Sequence, residues 1–478
     1  MVRVLFSGKL GLLPPPPSSC NNNNSLSIYS YIWRTHNRPS PMIFASASSA
    51  PSLSGSGAEY SERLLDVAVK KKKKKIAGID QDELVDDPKL LADSDSCFCE
   101  FKGVDIHHKI FDAESRAQSV LQDHAVSDQK KKLGFPMILL HGFGASIFSW
   151  KQVMKPLAEA TSSKVLAFDR PAFGLTSRVD LSKVLSSGAG DAKPLNAYSM
   201  AFSVLATLHF LNLLNAEKAI LVGHSAGCLV AVNTYFEAPE RVAALILIAP
   251  AIFAPLTTPK TVKENQPRQD NQIEEDSSSV RKNPILRLYE TLAKVTKFIT
   301  VAVTQMMKGM IDMLNSLYRK LLSTILRSSL AIMLVRVAID KFGTAAVRNA
   351  WYDPKLVSEH VLSGYTQPLR NKDWDRALVE YTVAMFLDEE SKTKPSLSKR
   401  LHEISCPVLI VTGDSDRIVP SWNAERLARV IPGASLEVIK QCGHLPHEEK
   451  VEEFISIVEN FLTRLVGDSN EQYLPSVV

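Results

Sequence analysis

The stretch Ile220-Leu221-Val222-Gly223-His224-Ser225-Ala226-Gly227-Cys228 decides how the rest of the chain is read. An apolar run of strand length ends in Gly-His-Ser-Ala-Gly, and a helix-compatible segment follows. This is the G-x-S-x-G pattern in strand–turn–helix context, which sets a serine on a sharp, strained turn. Its hydroxyl is pushed out above the sheet, beside the first N–H groups of the next helix. The flanking glycines are needed because side chains there would collide with the neighbouring strand and helix. Five residues of this kind recur by chance in many chains. Their meaning depends on whether the rest of the sequence supplies a base, an acid and donors for an oxyanion.

Working outward, residues 136–140, 164–168, 219–222 and 242–249 are short apolar runs of buried-strand type. Helical spacing separates them at residues 146–160, 196–214 and 226–236. Strands alternating with helices at these lengths predict a parallel sheet with right-handed crossovers. Upstream, residues 97–110 alternate about Gly103 and read as a hairpin. His107 and His108 within it point to opposite faces of a strand and read as surface or packing residues rather than metal ligands. The alternation stops near Phe253. Residues 257–283 are polar, and residues 284–342 are almost continuously helical in pattern, with recurring cations from Lys294 to Arg336. The expected role of this segment is a helical cap over an apolar pocket. A basic amphipathic helix pair can also lie on a membrane surface. Residues 321–337 are apolar but carry Arg327 and Arg336, too charged for a membrane span. Further helices are expected over residues 351–387. The sheet pattern returns at 406–411, followed by a helix at 424–430, a strand at 435–439 and a last amphipathic helix at 448–465.

With 478 residues, 45% of them hydrophobic, the chain can bury a large core. A net charge of +5 gives no case for nucleic acid, since six consecutive lysines at residues 70–75 supply much of it. That run reads as a solvated charge block. Six irregularly spaced cysteines form neither a disulfide framework nor a zinc site. No metal or cofactor is expected. Residues 1–58 lack Asp and Glu, are rich in serine and carry scattered Arg and Lys. This is the composition of an organelle transit peptide, more plastid than mitochondrial in style. The expected organisation is therefore a leader (1–60), a charged disordered linker (61–96), a first core half (97–256), a polar loop plus helical cap (257–404), a second core half (405–466) and a disordered tail (467–478).

A serine hydroxyl at its ordinary pKa needs a base, an orienting acid and N–H donors. Ser225 is the candidate nucleophile. His444, in a loop after a late strand, is the candidate base. His224 should point away from the pocket, and His447 reads as packing or surface. The candidate acid is Asp416, two residues deeper in its loop than Asp414, which reads as a loop cap. The oxyanion donors would be the backbone N–H groups of Ala226 and Phe143, with His141 a structural histidine.

Together these residues resemble the α/β-hydrolase fold superfamily. The matching motifs are HGFG at 141–144, DRPAFG at 169–174, GHSAG at 223–227, GDSDRIVP at 413–420 and CGH at 442–444, with the triad in the order Ser–Asp–His. The resemblance implies an α/β-hydrolase fold: a mostly parallel central sheet flanked by helices, with a long inserted helical cap. It implies a serine hydrolase acting through an acyl-enzyme on a hydrophobic ester or related carbonyl compound. Carbon–carbon bond (meta-cleavage type) hydrolases share the same motifs, as would a hydrolase-like receptor for a small molecule. Epoxide hydrolases and haloalkane dehalogenases use an aspartate nucleophile, and Ser225 argues against both. The leader and arrangement look like plant plastid members.

Overall fold

The computed structural model describes residues 75–113, 134–179, 195–254, 284–387 and 396–471. The leader, the lysine run up to residue 74, the polar loop at 257–283 and the last seven residues lie outside these.

Residues 75–96, expected to be disordered linker, are part of the fold. β1 (Lys75–Ile76) and β2 (Ile79–Asp80) form a small hairpin. Val85 then pairs with the cap, its N–H on the carbonyl of Arg370 (2.8 Å) and its carbonyl taking the N–H of Lys372 (2.9 Å). Polar composition misleads here because hydrogen bonds to the cap, with Ile76 as the one buried apolar side chain, fix the segment.

β3 (Cys97–Phe101) and β4 (Val104–Asp112) make the expected hairpin. Its two turn residues, Lys102 and Gly103, both have positive φ (51° and 79°), the twist that suits a two-residue connection. There follow β5 (Met137–Leu140), α1 (Met154–Thr161), β6 (Lys164–Phe168), α2 (Met200–Leu213), β7 (Ala219–His224), α3 (Gly227–Glu237) and β8 (Val242–Ile248). The single helix expected at 146–160 is split. A 3-10 turn (Ile147–Trp150) precedes α1, because Ser146 caps the N–H of Phe148 and Asp169 takes that of Ile147.

The inserted segment holds α4 (Pro284–Leu326), α5 (Ser329–Ala338), α6 (Thr344–Ala350), α7 (Glu359–Thr366) and α8 (Trp374–Leu387). Then come β9 (Val408–Gly413), α9 (Ser421–Val430), β10 (Ser435–Ile439) and α10 (Val451–Glu471). The last helix continues through residues 467–471, which were expected to be tail. The cap also differs from expectation. Its cover over the core comes from α5 to α8, while residues 292–318 of α4 are exposed on every side.

The main sheet has eight strands in the order β10-β9-β8-β7-β5-β6-β4-β3. Only β4 runs against the others, antiparallel to both β6 and β3. The central strands are apolar throughout because both faces are covered. Met137 and Leu139 pack toward Leu157 of α1 and Phe454 of α10. Ile138 and Leu140 pack the other way, toward Phe202 and Phe210 of α2. The carboxyl ends of β5, β7 and β9 meet at one edge, with Leu140 beside Gly223 and Gly413 beside Ile439. Open α/β sheets gather their ligands at that edge.

Candidate active site

β7 runs one step beyond its glycine and then reverses into α3. At the reversal Ser225 has φ +51°, a left-handed conformation that costs a non-glycine residue about 1–3 kcal/mol. Three backbone bonds hold it there. Its N–H donates to Ile248 O (2.9 Å), and its carbonyl accepts from Cys228 (3.1 Å) and Ala251 (3.2 Å). A side chain at Gly223 would come within 2.7 Å of the Cys228 backbone, and one at Gly227 would strike the Leu140 carbonyl. The two glycines are thus fixed by the closeness of β5 and α3 to the turn.

β9 and the loop after β10 bring the acid and base together. Asp416 Oδ2 lies 2.7 Å from His444 Nδ1, and both side chains are buried. Asp416 Oδ1 accepts the N–H groups of Ile418 (2.8 Å) and Val419 (2.9 Å), so the carboxylate cannot rotate away. Asp414 faces elsewhere and accepts from the Ser415 hydroxyl (2.9 Å). The His444 loop is clipped to the cap. His444 N–H donates to Ala350 O (2.6 Å), and Arg417, beside the acid, donates to the carbonyls of Trp351 and Tyr352. Glu449 takes the N–H groups on either side of the histidine, Gly443 (3.0 Å) and Leu445 (3.3 Å), and also that of Tyr352 (2.7 Å). Burial raises the Glu449 pKa, and these N–H bonds pull it back. Sequence reasoning missed Glu449 and the cap clip, since no spacing links an acid five residues on to a histidine's backbone.

The two expected donors can be located by their peptide partners. A trans peptide points its C=O and N–H in opposite directions. The Gly142 carbonyl is held by His141 Nδ1 (2.8 Å) and approached by Arg170 Nη2 (3.4 Å). The Phe143 N–H is therefore turned away from both. Likewise the Ser225 carbonyl is bonded to Cys228 and Ala251, which turns the Ala226 N–H the other way. Neither N–H donates to another protein group among the described residues. His141 accepts the Arg170 N–H at Nε2 (3.0 Å), and burial lowers its pKa to about 4, so it is neutral and structural as expected. The buried Arg170 also donates to His141 O (3.1 Å), tying the HGFG loop to the DRPAFG loop.

Ser225, His444 and Phe143 border one cavity of about 350 Å³, walled by the apolar or small side chains of Ile339, Val347, Leu369 and Leu378. A larger groove of about 710 Å³ lies away from these residues, beside Ser96, His107 and Lys109. We take the smaller cavity as the site, because it is lined by the strained serine and by the histidine of the acid–base pair. His224, expected to point away, contributes to its wall and lies 3.0 Å from the His444 carbonyl through Nε2. Burial, then His447 and His444, keeps its pKa well below the ordinary value. His447 is fully buried against Trp150, and burial lowers its pKa to about 3. Of the two readings given for His107 and His108, surface or packing, burial selects packing. His107 pairs with Asp169 at 2.7 Å, and His108 packs on Phe210.

An eight-stranded sheet with one reversed strand, interrupted by helices before its last two strands, and a serine on the strained turn after a central strand define a hydrolase of the α/β fold. The sequence model of the Alpha/beta hydrolase family matches residues 137–457, more than half of the chain, and the chain belongs to that family. It is 25% identical over 336 residues to the 2-hydroxy-6-oxononadienedioate/2-hydroxy-6-oxononatrienedioate hydrolase of Klebsiella pneumoniae, covering 69% of this chain and 87% of that one. It is 34% identical over 119 residues to the abhydrolase domain-containing protein abhd-5.2 of Caenorhabditis elegans, 25% of this chain and 24% of that one. Among solved structures it is similar to the 2-hydroxy-6-oxo-6-phenylhexa-2,4-dienoate hydrolase of Rhodococcus sp. strain RHA1, with a TM-score of 0.46, 18% identity, and coverage of 77% of this chain and 99% of that one.

Proposed function

We propose that the protein is a serine hydrolase that cleaves a hydrophobic carboxylic ester, or a related carbonyl compound, through an acyl-enzyme. The observation that carries this reading is Ser225 at φ +51° in the same cavity as His444, itself bonded to Asp416 at 2.7 Å. With Nδ1 committed to Asp416, His444 Nε2 takes the Ser225 proton as Oγ attacks the carbonyl carbon. The N–H groups of Phe143 and Ala226 receive the oxyanion, a contribution of about 3–4 kcal/mol per donor. The imidazolium then protonates the leaving group, and His444 next draws a proton from water, which hydrolyses the ester to Ser225.

A second reading, carbon–carbon bond hydrolysis, is favoured by the likeness to the Klebsiella enzyme, whose name gives a dioate as substrate. The cavity speaks against a small dianion. The cationic side chain on its wall, Arg178, already commits Nη1 and Nη2 to the carbonyls of Phe173, Thr176 and Gly174 and has only Nε without a partner. A panel of nitrophenyl esters of rising acyl length, beside a 2-hydroxy-6-oxodienoate, separates the two. The ester reading expects kcat/KM to rise with chain length; turnover of the dienoate alone would replace it. A single labelling event without steady turnover would mark a receptor instead. We further propose, on the acid-free leader, delivery to the plastid. Fusion of residues 1–60 to a fluorescent reporter tests this, and a cytosolic or mitochondrial signal would refute it.

A further inference from the structure

We propose that α4 is a membrane-docking arm that lies in the headgroup layer of an anionic bilayer. This goes beyond the hydrolysis reading and does not depend on it.

Residues 292–318 form about 40 Å of helix with no buried side chain. Ile299, Val303, Met306, Met310, Leu314 and Leu317 follow one another at three- and four-residue steps and make one continuous apolar stripe. In water such a stripe is normally packed on a core. Among the described side chains, α4 is tied down only at its C-terminal end, where Arg327, the residue after it, pairs with Glu380 of α8 (2.6 Å). Five cations stand along residues 292–326, at Lys294, Lys297, Lys308, Arg319 and Lys320, and none is ion-paired among the described residues. Asp312 is the single acid between Leu292 and Leu326.

Charge selects the occupant. A second copy of the arm could cover the stripe but would leave these cations, most of which lie on the opposite face of the helix, without an anionic partner. An anionic lipid surface neutralises them, and long Lys stems let the charge reach headgroups while the stripe sits among the acyl chains. The geometry also points to lying rather than crossing. No single described helix is long and apolar enough to span, and α4 with the helix after it passes only as a pair bent by 60°. The second member is fixed to the body through Arg336 and Asp375 (2.6 Å). Beyond it, Ile339, Ala346 and Val347 wall the cavity, so a docked arm sets the site beside the lipid.

The test is co-sedimentation of the full chain with vesicles of phosphatidylcholine alone and of phosphatidylcholine with phosphatidylglycerol. Partition onto the anionic vesicles, weakened by salt, is expected. Lys294→Gln/Lys297→Gln/Lys308→Gln should weaken it on the order of a hundredfold, from about fivefold per cation. Met306→Glu/Met310→Glu/Leu317→Glu should abolish it with circular dichroism and melting unchanged. Three results would overturn the proposal: no partition at all; binding that survives both variants, which would assign it to residues 70–75; or self-association lost in the Glu variant without vesicle binding, which would assign the stripe to a second copy. No readout involves turnover, so failure here leaves the hydrolysis reading untouched.

Discussion

Asp416–His444 and Asp169–His107 are both buried pairs with the carboxylate oxygen 2.7 Å from Nδ1. The second even has a serine on its far side, with Ser96 Oγ 2.9 Å from His107 Nε2. By residue type and distance it is the more complete Ser–His–Asp set. Its surroundings differ. Ser96 sits at no strained backbone position, and its N–H is bonded to Asp93 O (3.1 Å). Asp169 also accepts the N–H groups of Ile147 and Leu175, both at 2.7 Å, and so stitches three loops together. Ser225 instead stands on a left-handed turn beside two N–H groups free of protein acceptors, in a largely apolar cavity. The contrast teaches that hydrogen-bond reach among three residue types does not make a nucleophile. A strained turn and unengaged donors are needed as well.

The sharpest way to break the contrast is substitution of the two serines. Ser225→Ala should lower kcat for any ester substrate by about 10⁶ with the fold intact. Ser96→Ala should leave kcat at the wild-type value; a large loss there would reverse the assignment. The two aspartates come next. Asp416→Asn should cost about 10⁴ in kcat with little change in melting temperature, because the wrong imidazole tautomer is held. Asp169→Asn should do the opposite, costing about 3–5 kcal/mol of stability in urea titration.

Acid sharpens the same difference. Burial alone would raise the Asp169 pKa, but His107 and the N–H bonds outweigh it and hold the carboxyl below its ordinary value of 3.8. A lowered folded-state pKa gives stability that is present above that value and lost as pH falls through the folded one. The wild-type urea midpoint should therefore drop as pH falls below about 4, and Asp169→Asn should remove part of that slope. A smaller effect is expected at Arg170, which braces the Gly142 carbonyl behind the Phe143 N–H. Arg170→Lys should lower kcat by up to about 10² with KM nearly unchanged, as for a misaligned oxyanion donor; a change confined to KM would mean the brace serves binding.

The serine turn and both parallel halves of the sheet were legible, because each rests on local chemistry, and the pairing of Asp416 with His444 was legible only through the joint order of the motifs. An apolar run ends at Gly223, and a loop begins at Gly413 or Cys442. What was not legible depends on contacts distant in sequence. The Val85 crossing to Arg370 and Lys372 uses backbone groups that leave no mark in residue type. Glu449 acts on the His444 loop through N–H groups, so its identity as an acid says nothing of its target. His107 read as either a surface or a packing residue on its hairpin, and the approach of Asp169 from the end of β6 explains its burial. The exposure of α4 was hidden too, since an amphipathic pattern reads the same whether its stripe meets a core or a lipid surface.

Labelling with a fluorophosphonate, followed by mapping of the modified peptide, tests the central claim most directly. The account predicts one label per chain, on Ser225, absent from Ser225→Ala and strongly reduced in Asp416→Asn. A label on Ser96, or undiminished labelling of Ser225→Ala, would contradict it.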